Sequence, residues 1–153
     1  MEIRRARDED YVEIADLRQS TIRSVNAKDY PEQVINRWSS TSKAEDFRES
    51  DGQCKRWMAL EDGKVIGFCE HTFACEISRV YVHKDHLRKG VGSRLLKVAE
   101  DSLKEQGCLH IRIESTITAK EFYASNGYEV IERTTYFGDE HAPVYVMSKA
   151  ITE

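Results

Sequence analysis

The stretch from Glu76 to Glu105 constrains this chain most. A β-branched run, Val80-Tyr81-Val82, leads through a short polar link to Gly90-Val91-Gly92. Beyond it Val91, Leu95, Val98, Ala99 and Leu103 recur at i, i+4, i+7, i+8 and i+12, with Lys97, Glu100, Asp101 and Lys104 on the other side and Gly107 as the stop. This is the pattern of a strand, a glycine-pinched turn and an amphipathic helix. The first N–H groups of a helix lack intrahelical partners, and together with the helix dipole they favour an anion. Glycines allow a phosphate to approach the backbone closely. Lys84, Arg88, Lys89, Arg94 and Lys97 surround the same turn, which suits a small anionic ligand.

Two familiar phosphate loops do not fit. No GxxxxGK[ST] occurs, and a dinucleotide fingerprint needs a third glycine where this chain has Leu95. A polymer is a poor candidate too: the net charge is −4 and there is no basic arm, so nucleic acid is not expected. No stretch approaches ~18 apolar residues and the first ten residues lack an apolar signal core, so a membrane partner is not expected and a cytoplasmic protein is. Cys54, Cys69, Cys75 and Cys108 are scattered, with no CxxC and no histidine at metal spacing. They read as reduced thiols, with no metal site.

The rest of the chain supplies a frame for that unit. Glu2 to Arg7 reads as a short strand, and Asp8 caps a helix with Val12, Ile14, Ala15, Leu17 and Ile22 inward. Pro31 opens a second helix with Val34, Ile35 and Trp38 on its apolar face, and Ala44 to Glu49 can add one turn. Trp57 to Leu60 and Val65 to Phe73 form a hairpin around Glu61-Asp62-Gly63-Lys64, and Cys75 to Val82 is a buried strand. After the glycine-led helix come a strand at Leu109–Glu114, a short helix at Thr118–Ser125, and two strands, Tyr128–Phe137 and Val144–Ser148. The order βααβββαβαββ predicts one mixed α/β domain over residues 1–153, with strands four and five parallel across a crossover helix.

Two segments in this order carry a family resemblance. Val80-Tyr81-Val82, the link His83-Lys84-Asp85-His86, and Leu87-Arg88-Lys89-Gly90-Val91-Gly92-Ser93 resemble the acetyl-CoA motif of the GNAT N-acetyltransferase superfamily. In that motif successive N–H groups bind the CoA pyrophosphate. Ala119-Lys120-Glu121-Phe122-Tyr123-Ala124-Ser125-Asn126-Gly127-Tyr128 is similar to the family's AxxFYxxxGF segment, and the order of elements agrees over essentially the whole chain. The sequence departs from the pattern at Leu87, where Gln or Arg is usual, and at Thr116, where Asn is frequent.

The resemblance implies the acyl-CoA N-acyltransferase fold, its fourth and fifth strands splayed. It also implies direct acetyl transfer from acetyl-CoA to an amine in a ternary complex, leaving CoA. An ammonium with a pKa near ~10 must first lose a proton. Glu76, on one strand face with Ser78, Val80 and Val82, is the candidate base, with Glu70, His71 or a water chain as competitors. Backbone N–H groups around Val80 to Val82 match the family's donor to the thioester oxygen, and Tyr123 matches the acid that meets the leaving thiolate. The other histidines read as solvated. The resemblance places an amine pocket between the first helices and the last hairpin, here Ile22, Asn26, Tyr30, Trp38 and Tyr136, with Asp139 or Glu140 to attract a cation. A homodimer can form at an exposed sheet edge. The competing reading is a CoA-binding sensor or interaction module with weak catalysis, to which Leu87 and Thr116 point.

Overall fold

The computed structural model describes residues 1–151, apart from the side chain of Phe137. Its strands are β1 (Glu2–Arg5), β2 (Cys54–Glu61), β3 (Lys64–Thr72), β4 (Glu76–Val82), β5 (His110–Thr116), β6 (Glu129–Thr135) and β7 (Pro143–Ala150). Its helices are α1 (Tyr11–Ser24), α2 (Glu32–Ser39), α3 (Ala44–Glu49), α4 (Val91–Glu105) and α5 (Lys120–Ser125). The strands form one sheet in the order β1-β2-β3-β4-β5-β7-β6. β4 and β5 are the parallel pair, and their ladder holds only Glu76 with Arg112 and Ile77 with Ile113. Past Ile77 the two strands part, leaving a gap in the middle of the sheet.

Period-two alternation divides the sheet between two cores. Ala59, Cys69, Ile77, Ile111 and Met147 pack with Leu95, Leu96, Ala99 and Leu103 of α4 on one face. Met58 and Phe68 pack with Tyr11, Ile14 and Leu17 of α1 and Phe47 of α3 on the other. α4 and α1 therefore cover opposite faces of the sheet beside the gap. A third cluster, including Ile22, Tyr30, Val34 and Trp38 with Ala142, ties α1 and α2 to the approach to β7.

Several expectations need correction. Val12 is 52% exposed, because α1 turns only Tyr11, Ile14, Ala15 and later residues of that stripe inward. Glu100 does not simply face solvent: Tyr128 donates to it at 2.7 Å, and Lys149 pairs with it at 3.1 Å. The strand drawn to Phe137 ends at Thr135, where a short 3-10 turn begins. The largest correction concerns the thiols. Cys75 and Cys108 are joined in a disulfide, and only Cys54 and Cys69 are free. Cys75 sits just ahead of β4 at φ +58 and Cys108 just ahead of β5, so the start of the parallel pair brings together residues 33 apart in sequence. The reading of all four cysteines as reduced thiols therefore fails for Cys75 and Cys108. No helix among the described residues is long and apolar enough to cross a membrane.

Candidate active site

A cleft of about 600 Å³ follows the open gap from the glycine turn to Tyr123 and Tyr136. Its lower rim is the turn itself. Arg88 and Gly90 both take positive φ, +60 and +83, so the chain doubles back before α4 and presents successive N–H groups outward. The N–H groups of Val91, Gly92 and Ser93 precede the first intrahelical bond, which Arg94 N–H makes to the Gly90 carbonyl at 3.1 Å. Gly92 also answers a packing demand: a Cβ there would meet the Phe122 ring at 3.1 Å and Val82 at 3.5 Å. The turn thus fits a pyrophosphate by its free donors and its lack of side chains, with Arg88 on the cleft wall. Leu87, Gly90, Gly92 and Ser93 also line the cleft, whereas the Val91 side chain is buried under α4 and exposed Lys89 lies outside the lining.

The strand wall of the cleft is the unpaired edge of β4. His83 N–H donates to Ile66 across the β3 side at 2.8 Å, and Thr21 Oγ1 donates to the Val82 carbonyl from the other side. Alternation then turns the Tyr81 N–H toward β3 and those of Val80 and Val82 into the gap. Thr116, at the end of β5, lines the cleft and accepts the Ala119 N–H at 3.1 Å, so it also holds the start of α5 in place. Tyr123, on α5, is 5% exposed and its ring meets Phe122 and Tyr128. Burial raises its phenol well above the usual range, with Tyr81 and Cys69 adding to the effect, so it stays protonated.

A second cavity of about 370 Å³ shares Ile77, Ser78, Arg79, Tyr81, Glu114 and Tyr136 with the cleft. It adds Arg18, Trp38, Thr41, Glu70 and Glu76. Glu76 therefore stands on this side, paired with Arg112 at 2.7 Å, and Glu114, which borders both cavities, meets Arg112 at 3.3 Å. Glu70 is a different carboxylate. Burial would raise it, but Arg79, Ser78 and Arg56 together outweigh burial and hold it below its usual range. His71 borders neither cavity; it is packed between Trp57 and Ser102, and burial lowers its pKa. Cys69 is buried, its thiol pushed up to about 12 by burial, and Cys75 is spent in the disulfide, so neither reaches an acetyl group.

The residues drawn for the amine pocket separate. Asn26 borders the cleft, Trp38 the second cavity and Tyr136 both. Ile22 and Tyr30 border neither. Ile22 is fully buried core, and Tyr30 is a strut whose hydroxyl donates to Pro143 at 2.8 Å and accepts the Ile117 N–H at 2.9 Å. Asp139 pairs with Arg37, away from both cavities. Arg18, Arg79 and Glu114 were not singled out in the sequence, because each reads as an ordinary charged position until the fold turns it inward.

The comparisons agree with this geometry. A family model described as an acetyltransferase (GNAT) domain matches residues 26–149. An uncharacterized N-acetyltransferase of Lactobacillus delbrueckii subsp. lactis is 27% identical over 69% of this chain. The chain spans 63% of that relative's length and 48% of the length of a second curated relative, from Xenopus tropicalis. Among solved structures, a GCN5-related N-acetyltransferase from Rhodopseudomonas palustris is similar at TM-score 0.92 and 25% identity, with 98% of this chain and 95% of that one covered. The PaiA N-acetyltransferase of Thermoplasma acidophilum, solved with coenzyme A, is similar at 0.82 and 25% identity, with 98% of each chain covered. With its glycine turn, its split parallel pair and a family match over most of its length, this chain belongs to the GNAT acetyltransferase family, whose cosubstrate is acetyl-CoA.

Proposed function

We propose that residues 1–153 act as one domain that transfers acetyl from acetyl-CoA to a primary amine of a small molecule or peptide, by direct attack in a ternary complex. The observation that carries this reading is the continuity of one cleft from the free N–H groups of the glycine turn, past the unpaired β4 edge, to Tyr123. Acetyl-CoA supplies an activated thioester. The N–H groups of Val91, Gly92 and Ser93 hold pyrophosphate, and Arg88 adds charge. The Val80 and Val82 N–H groups offer donors to a carbonyl oxygen that gains charge. Tyr123, kept protonated by burial, gives its proton to the departing sulfur.

The amine enters from the second cavity, where Glu76 accepts its proton. Glu114 is the competing base, because it borders both cavities. Asn26, Trp38 and Tyr136 shape the acceptor's path. A CoA-binding module without turnover is the second reading; it draws on Leu87, which offers no side-chain hydrogen bond, and on Thr116, whose hydroxyl accepts the Ala119 N–H. Free-thiol release from acetyl-CoA with an amine panel separates the two. The enzyme reading predicts amine-dependent thiol release; CoA binding with no release from any amine supports the module.

A further inference from the structure

The second cavity holds four carboxylate or guanidinium groups with a partner of opposite sign. Glu70 is flanked by Arg56 and Arg79, while Glu76 and Glu114 share Arg112. The fifth charge is different. Arg18 is 6% exposed and makes no ion pair among the described residues. It makes a long hydrogen bond from Nη1 to Thr41 Oγ1 at 3.4 Å and a guanidinium-to-ring contact with Tyr81 at 5.6 Å, while Nε has no acceptor. A buried cation without a counter-ion is costly, and a ring face offsets part of that cost without neutralising the charge.

The geometry points to a ligand that brings the missing anion. We propose that the acceptor is an amine that itself carries a carboxylate, an amino acid or a close analogue, whose carboxylate pairs with Arg18 while its amine faces Glu76 and the gap. This rests on the acetyl-transfer reading above and deepens it. Three observations select a carboxylate. Guanidinium presents a planar donor fork that matches a carboxylate. One unpaired positive charge calls for one negative charge, and a phosphate dianion would add repulsion from Glu76 and Glu114 on the same wall. The cavity, about 370 Å³, has room for a small zwitterion between aromatic walls of Trp38, Tyr81 and Tyr136.

Atoms balance in the transfer. The ammonium first gives one proton to the carboxylate base, which releases it to solvent. The neutral nitrogen then bonds to the acetyl carbon, the carbon–sulfur bond breaks, the thiolate takes a proton from Tyr123, and the second proton lost from nitrogen as the amide forms restores the tyrosine. The products are an N-acetyl amino acid and CoA. Zwitterionic acceptors arrive protonated, so the base remains necessary.

The test compares each standard amino acid with its decarboxylated amine and with a dipeptide bearing the same N-terminal residue, read by thiol release. The expected result is a preference of about tenfold or more in kcat/KM for the best amino acid over its decarboxylated partner, carried by KM. Arg18→Met and Arg18→Lys should each collapse that ratio toward one while melting within a few degrees of the parent. Should Arg18→Met fail to fold, the wild-type ratio and Arg18→Lys still decide. Equal or better turnover of decarboxylated amines overturns the inference, as does CoA binding with no amino acid acetylated. Turnover of dipeptides in preference to free amino acids also overturns it, since the carboxylate then lies beyond Arg18. Failure to bind acetyl-CoA at all refutes the underlying acetyl-transfer reading instead.

Discussion

In the proposed reaction Tyr123 and Glu76 divide the two proton movements between them, and each can be tested alone. Tyr123→Phe keeps the ring packing against Phe122 and Tyr128 and removes only the acid. Its kcat should fall at least ~100-fold with the acetyl-CoA KM nearly unchanged; full kcat in steady-state assays would remove the role. Glu76→Gln should lower kcat with the acetyl-CoA KM nearly unchanged, and a loss of kcat in Glu114→Gln instead would transfer the base to β5. Two buried groups also make stability depend on pH. Folded His71 and Glu70 both titrate below their ordinary values of 6.5 and 4.5. On acidification the unfolded chain therefore takes up protons first, so stability falls below about pH 6.5 through His71 and further below about 4.5 through Glu70. Urea midpoints measured from pH 8 to 4 should decline in that order, and His71→Gln should flatten the first part.

At the level of elements, the closed end of the β4/β5 gap is stapled. The Cys75–Cys108 disulfide sits beside the two ladder pairs that begin the split, and Arg112 N–H donates to the Cys75 carbonyl at 3.0 Å. Closing a loop of this length restricts the unfolded chain by about 3–4 kcal/mol in the loop-entropy account. Reduction, or Cys75→Ser with Cys108→Ser, should lower the melting temperature by roughly 10 °C in calorimetry; an unchanged transition would show that the bond contributes nothing. This staple was invisible in the sequence, where two scattered cysteines carry no pairing signal. The glycine turn was legible because its donors and conformations belong to the local chain: Gly90 at φ +83 and the free N–H groups need no tertiary partner. The order of the last strands was not, since β7 inserts between β5 and β6 and no local pattern records that. The family resemblance set Ile22 and Tyr30 in the amine pocket, and only packing shows that Ile22 is core and Tyr30 a strut between Pro143 and Ile117.

Across the whole molecule, two helices on opposite faces of one sheet border a gap open to both sides. The glycine turn lies at the mouth of the larger cleft, and the charged wall with Arg18 lies in the smaller cavity. The shared residues between them, Ser78, Tyr81 and Glu114 among others, join the two cavities at the β4/β5 split, where the proposed reaction brings acetyl-CoA and the amine together. That arrangement suits transfer without a covalent enzyme, and buried Cys69 offers no nucleophile to compete. Every proposed role in the cleft depends first on the glycine turn seating the CoA pyrophosphate. Isothermal titration of acetyl-CoA into the purified protein tests it most directly. The prediction is one site per chain, with affinity that weakens as salt rises because phosphate contacts are screened, and that is lost in Gly92→Asp. No binding at millimolar acetyl-CoA, or binding unaffected by Gly92→Asp, would contradict it.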